Sequence, residues 1–167
     1  MKIVISGLGI YFMRDKNWSL DVIKRQMEVC RLYGLGHAYF RSEFFTDNLK
    51  GIYDFASSNF NVNPALPNPM VWQTKTAPSS PRNLVVNRYA GATNLSWEDA
   101  KDNSGGNYLL YNIYASDKYP VDIEDARNFV ATYVRGKNFT IRHKQYFNKS
   151  LHYAVPAIDR FGIEGKP

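Results

Sequence analysis

The chain has 167 residues, of which 44% are hydrophobic, 15% aromatic and 22% charged. That is a globular composition, and it excludes disordered, collagen-like and mucin-like classes. The net charge of +6 is shared equally, +3 in residues 1–80 and +3 in residues 81–167, with the signs mixed in both. Even distribution argues against nucleic acid as a partner, since a nucleic-acid binder concentrates its basic residues on one stripe. The densest basic stretch, Arg135 to Lys149, contains five basic residues with Tyr146 and Phe147 among them. It reads as a lysine-protected sheet edge or as a stacking surface for single-stranded bases. No apolar run approaches the roughly 18 residues of a membrane span. The single cysteine, Cys30, excludes an internal disulfide.

Lys2 to Met13 is an apolar run bounded by charge, which predicts a strand covered on both faces. A buried strand is expected here rather than a signal peptide, because Arg14, Asp15 and Lys16 follow directly with no small-residue cleavage site. Gly7 and Gly9 suggest a dinucleotide-binding turn, but Phe12 stands where the third small residue is needed, so no cofactor is expected. Leu20, Ile23, Met27 and Cys30 recur at helical spacing, with Ser19 placed to cap the start and Gly34 to end the helix. His37 to Phe45 reads as a second strand. Asp47 to Ser57 reads as a second helix, with Leu49, Ile52, Tyr53 and Ala56 on one side. Strand, helix, strand, helix predicts two parallel strands joined by a right-handed crossover.

Five of the eight prolines fall between Asn61 and Pro81, which predicts an extended connector. It also carries Leu66, Met70, Val71 and Trp72, which are expected to pack against the flanking domains. Beyond Pro81 the period becomes two: Leu84 and Val86, then Leu95 and Trp97, then Tyr108 to Ala115. Asp122 is expected to cap a short helical turn through Ala126. Further strands are predicted near Val130 to Val134, Asn138 to Arg142 and Leu151 to Ile158. Short strands separated by turns argue for a β-sandwich. The fold class is therefore α+β, with residues 1–60 and 82–167 as domains and 61–81 as connector.

The second half resembles a fibronectin type III domain. The residues that carry this are Pro81-Arg-Asn-Leu-Val-Val, Leu95-Ser-Trp97-Glu, Tyr111-Asn-Ile113-Tyr114, and the run from Tyr153 to Gly162. Leu151 stands where that family has its corner tyrosine, and the last strand would begin near Pro167. The resemblance therefore implies an immunoglobulin-like sandwich lacking its last strand, with an edge to be covered by Lys2 to Ile10, the connector or another copy. The first half, through Trp72, resembles the end of a barrel in glycosyl-hydrolase-like proteins of the polysaccharide-utilising Bacteroides group. It does so through Gly7-Leu-Gly-Ile-Tyr-Phe, Asn17-Trp-Ser-Leu, Val22-Ile-Lys-Arg-Gln-Met, Gly36-His-Ala-Tyr-Phe-Arg, Phe44-Phe-Thr-Asp-Asn, Gly51-Ile-Tyr-Asp and Pro64-Ala-Leu-Pro. This implies a partial β/α-barrel (βαβα), and a periplasmic, cell-surface or secreted parent acting on polysaccharide.

Glycoside hydrolysis uses two carboxyl groups, about 5–5.5 Å apart for retention and about 6.5–9.5 Å for inversion. Glu43 and Asp15, near predicted strand ends, are the catalytic candidates; the alternative is ion pairing with Arg41 and with Arg14 or Lys16. Tyr39 and Arg41 are the ligand-binding candidates, alternating with His37 and Glu43 on one face of the second strand. His37, His143 and His152 have no shared metal spacing, so no metal site is expected. Tyr108, Tyr111, Tyr114, Tyr119, Tyr133, Tyr146 and Phe147 are sandwich aromatics that would stack on sugar if they formed a flat row. The expected function is a structural or accessory fragment without glycosidase activity of its own. The alternatives are a carbohydrate- or protein-binding module, and a homo-oligomer formed through exposed barrel faces or the open sandwich edge.

Overall fold

The computed structural model describes residues 4–142 and 150–167, and the chain divides into two compact units, Met1–Val62 and Asn63–Pro167. His143, Tyr146 and Phe147 lie outside the described residues. The protein is mixed α and β. In the first unit β1 (Ile5–Gly9) pairs in parallel with β2 (Gly36–Phe40), in register from Ile5↔Gly36 to Gly9↔Phe40.

β1 is shorter than the apolar run predicts. The Ile10 N–H donates to the Leu8 carbonyl at 2.9 Å and turns the chain into a helical turn, α1 (Phe12–Asp15). The run stays apolar because that turn fills the core: Ile10 and Met13 are fully buried. Nor is the strand covered on both faces. Leu8 is buried, whereas Ile5 is 64% exposed and a side chain at Gly7 would meet nothing within 4 Å. A two-stranded sheet with helices on one side has a bare second side.

The expected first helix is present as α2 (Leu20–Leu32), burying Ile23, Met27 and Cys30. Ser19 has the extended geometry of a cap, but its side chain caps nothing. The helix ends as the spacing predicts. Gly34 takes φ +63°, its N–H donates to Arg31 O at 3.0 Å, and Leu35 N–H reaches Cys30 O at 2.8 Å. These two bonds are those of a Schellman motif.

The second strand differs most from expectation. It stops at Phe40, because its partner β1 has already turned away at Ile10, and Ser42–Thr46 forms the helical turn α3, which buries Phe44. The second helix is broken as well. Asn48, Lys50 and Gly51 have positive φ, giving a 3-10 turn at Leu49–Gly51 before α4 (Ile52–Phe55) and a wider turn at Ala56–Phe60. Asn48 restarts the helix: its Oδ1 accepts from the N–H groups of Tyr53 and Asp54, at 2.9 and 3.2 Å.

In the second unit β3 (Arg82–Tyr89), β4 (Ala92–Glu98) and β7 (Asn138–Ile141) form one antiparallel sheet in the order β3-β4-β7. β5 (Leu110–Ser116) is the centre of the other. It pairs on one side with β6 (Phe129–Val134), and on the other with β8 (His152–Ala154) and β9 (Ala157–Ile158). Leu95, Trp97 and Ile141 from the first sheet share a core with Tyr111, Ile113, Val155 and Ala157 from the second, an arrangement compatible with a β-sandwich. The helical turn at Ala126–Asn128 is capped by Asp125, whose carboxylate accepts from Arg127 N–H; Asp122 instead accepts from Glu124 N–H. Met70, Val71 and Trp72 do not pack as expected: all three are exposed. The proline-rich stretch is held by its backbone instead, through Met70 N–H to Phe161 O at 2.8 Å and Ser79 N–H to Lys101 O at 3.0 Å.

The side of β5 facing away from this core is polar yet buried. Asn112 donates to Glu164 Oε1 at 2.7 Å and accepts from the Thr132 hydroxyl at 2.7 Å, while the Tyr114 hydroxyl donates to Glu164 at 3.0 Å. Burial raises the Glu164 pKa against the pull of these donors, and it raises that of Tyr114, with the Glu164 charge second. A carboxylate with a raised folded pKa gives the fold less support at neutral pH than below its unfolded value. Glu164→Gln keeps an acceptor for both donors and is expected to leave the pH 7 melting temperature unchanged or higher. Glu164→Ala strands the buried Asn112 and Tyr114 donors and is expected to cost about 1–3 kcal/mol in chemical denaturation.

Candidate functional site

The sequence-predicted site residues lie in the first unit, Asp15 on α1, Tyr39 on β2, and Arg41 and Glu43 at α3. Glu43 sits on the exposed turn α3, where its backbone carbonyl accepts from Thr46 Oγ1 at 2.9 Å. Arg41 is the exposed residue just before that turn. Neither lies on β2, so the alternating row expected of His37, Tyr39, Arg41 and Glu43 does not form beyond Tyr39. Asp15 ends α1 and is ion-paired to Arg14 at 2.9 Å. The Arg14 guanidinium also lies 4.4 Å over the ring of Phe44, the residue after Glu43. Arg14 therefore joins the two turns, as the ion-pair alternative anticipated for Asp15. Among the described residues Glu43 has no such partner.

Tyr39 and His37 do come together, on the helix side of the sheet. Tyr39 stacks on Phe45 with centroids 4.5 Å apart, and its hydroxyl lies 3.1 Å from His37 Nε2 and 3.8 Å from Met27 Sδ. Arg31, from the last turn of α2, donates to the Phe60 carbonyl and lies 3.5 Å over the Phe60 ring. With Asn61 these groups line an open hollow of about 460 Å³. Burial, and then the Arg31 charge, lower the His37 pKa; burial raises that of Tyr39. The hollow thus presents a cation, a neutral imidazole at pH 7 and a phenol. It has no carboxylate in its lining, so it lacks the acid pair of glycoside hydrolysis.

A larger cleft, of about 560 Å³, opens in the second unit where Asp99 to Leu109 meets Gly136 and Lys137. Tyr108 stands at it 54% exposed, and Asp99 is ion-paired with Lys137 at 3.0 Å. Below lies Tyr111, edge-on to Trp97 with centroids 5.2 Å apart. Asp102 accepts from Ser104 N–H at 2.7 Å through Oδ1, while its Oδ2 is buried without a partner. A Cβ at position 106 would crowd that carboxylate, so a larger residue there would displace the Asp102 side chain. Sequence patterning found Tyr108 and the turn, but not the grouping with Lys137, which depends on cross-strand register.

Among the described residues, two of the other sandwich aromatics do not share a row. Tyr111 and Tyr114 are both buried and lie on opposite sides of β5, as period two requires. Among the described residues no three His, Cys, Asp or Glu side chains gather as a metal site, and no helix is long and apolar enough to cross a membrane. The chain matches no protein-family model and no curated protein.

His37 makes the first unit sensitive to acid. Burial, then the Arg31 charge, hold its folded pKa below that of a free imidazole, so its contribution is complete above the free value and is lost as pH falls through the folded one. The thermal midpoint is expected to drop between about pH 7.5 and pH 5, and His37→Gln to reduce that drop. Equal slopes for both proteins would contradict the assignment.

Proposed function

We propose that this chain is a non-catalytic accessory portion of a glycosyl-hydrolase-like protein acting on polysaccharide, located in the periplasm or at the cell surface. In this reading the first unit is a partial β/α-barrel of two strand–helix repeats, and the second is an immunoglobulin-like sandwich of fibronectin type III character. Two features support it: the parallel β1–β2 pair with helices on one side, and the three-against-four strand arrangement with Trp97 in the shared core.

The observation that carries the non-catalytic part is the surroundings of the acids. Asp15 is engaged by Arg14, Glu43 lies on an exposed turn off the strand, and the hollow beside Tyr39 has no carboxylate. Barrel chemistry is assembled from the loops of many strands, and β1 and β2 supply two. Incubated with a panel of polysaccharides, the chain is expected to release no reducing sugar above blank, and Glu43→Gln and Asp15→Asn to change nothing. Turnover abolished by Glu43→Gln would overturn this reading.

A second reading, carbohydrate binding by the second unit, is favoured by the Tyr108 cleft. An exposed aromatic beside Asp99, Asp102, Asn107 and Lys137 combines an apolar face with convergent polar groups, which a sugar site needs. Affinity electrophoresis is expected to show retardation by at least one glycan. Tyr108→Ala should weaken it about tenfold, or ~1.4 kcal/mol, without lowering the melting temperature. Unretarded migration in every glycan would leave the purely structural role.

A further inference from the structure

The hollow beside Tyr39 is built by one stretch of chain, from the last turn of α2 through β2 to the Phe60 turn, and every residue lining it falls between Arg31 and Asn61. Arg31 is its charged group. The guanidinium lies over the Phe60 ring and donates to the Phe60 carbonyl, and these two contacts fix its position. A guanidinium carries several N–H groups, so this bond leaves others to give. A cation in the last turn of a helix suits the helix dipole. The carbonyls of that turn nevertheless have backbone donors already: Tyr33 N–H on Val29 O at 3.1 Å, Gly34 N–H on Arg31 O at 3.0 Å and Leu35 N–H on Cys30 O at 2.8 Å. No carboxylate pairs with Arg31 among the described residues.

The neighbouring side chains add donors. The Tyr39 hydroxyl has a single proton to give, and the imidazole nitrogen at 3.1 Å is a stronger acceptor than the Met27 thioether at 3.8 Å. Tyr39 therefore donates to His37 Nε2, and the neutral ring keeps its own proton on Nδ1, where it is a further donor. The Asn61 side chain lies beside the same hydroxyl. Phe45 covers a face of Tyr39 and Arg31 a face of Phe60, so neither ring is a free platform for a sugar. A metal cation would meet a guanidinium here and no carboxylate in the lining.

We propose that this hollow binds an oxyanion, the phosphate or carboxylate group of a small molecule, on the Arg31 guanidinium with His37 and Tyr39 beside it. The planar fork of an arginine matches two oxygens of either group. A guanidinium already held by Phe60 loses less freedom on binding than one that moves in solvent. Nothing in this site depends on the parent's action on polysaccharide. Binding also changes how His37 titrates. The Arg31 charge, after burial, favours the neutral ring. An anion beside both offsets that charge, and linkage requires the ring to hold its proton more tightly when the anion is bound.

The test is NMR on the full isotope-labelled chain, titrated with sodium phosphate in one arm and sodium acetate in another, with sodium chloride holding the ionic strength constant. Saturable movement of the Arg31 and His37 side-chain resonances is expected in at least one arm, and the arm that saturates at lower concentration identifies the group. At saturation the proton affinity of His37 is expected to rise about threefold or more. Arg31→Lys keeps the charge at the helix end and loses the fork, so it is expected to bind about tenfold more weakly. Arg31→Gln is expected to abolish the response. Absence of saturable movement in both arms, movement that chloride alone reproduces, or equal affinity in Arg31→Lys and the wild-type chain overturns the proposal.

Discussion

A strand paired on one side exposes a row of N–H and C=O groups on the other, and each such group needs a partner or water. This condition recurs in both units. β1 and β2 pair with one another and with no further strand among the described residues, and β8 has β5 on one side only. The consequences differ with what lies beside each edge. In the first unit it is a bare sheet face carrying Ile5 and Phe40, 64% and 59% exposed. In the second it is a lined groove, with an arm of the chain already pairing along one end.

The polar groups inside the fold join its elements. The Glu164 carboxylate ties the returning arm to Asn112 and Tyr114 on the central strand, and through Asn112 to Thr132 on β6. Arg14 ties α1 to α3, and Arg31 ties α2 to the Phe60 turn. In each case a charged group joins two elements. The hollow beside Tyr39 has no carboxylate in its lining, and the acids of the second unit's cleft, Asp99 and Asp102, are engaged by Lys137 and by the Ser104 N–H.

Periodicity made α2 and its buried face legible from sequence, because Ile23, Met27 and Cys30 owe their burial to helical spacing alone. The strands of the second unit were legible for the same kind of reason, with Leu95 and Trp97 alternating into the core. The stretch after His37 is ambiguous in sequence because aromatic residues suit a strand and a buried turn equally. What ended β2 was the loss of its partner at Ile10, which local sequence does not display. Asn48, Lys50 and Gly51 broke the second helix through positive φ, while its apolar spacing ran on undisturbed. At the sites, the closeness of His37 and Tyr39 followed from period two. Arg31 and Phe60 joined them only through packing, and the side of the sheet they occupy was set by where the helices lie.

Among the described residues the parallel sheet of the first unit has two strands, part of the rim that barrel chemistry is built on. Site-resolved amide exchange on the whole chain tests it most directly. The account expects the outward-directed amides within Ile5–Gly9 and Gly36–Phe40 to exchange by local opening, orders of magnitude faster than those of Leu95 and Ile113 in the second core. Protection of both strands along both edges, equal to that of Ile113, would mean that further strands flank them and would contradict the account.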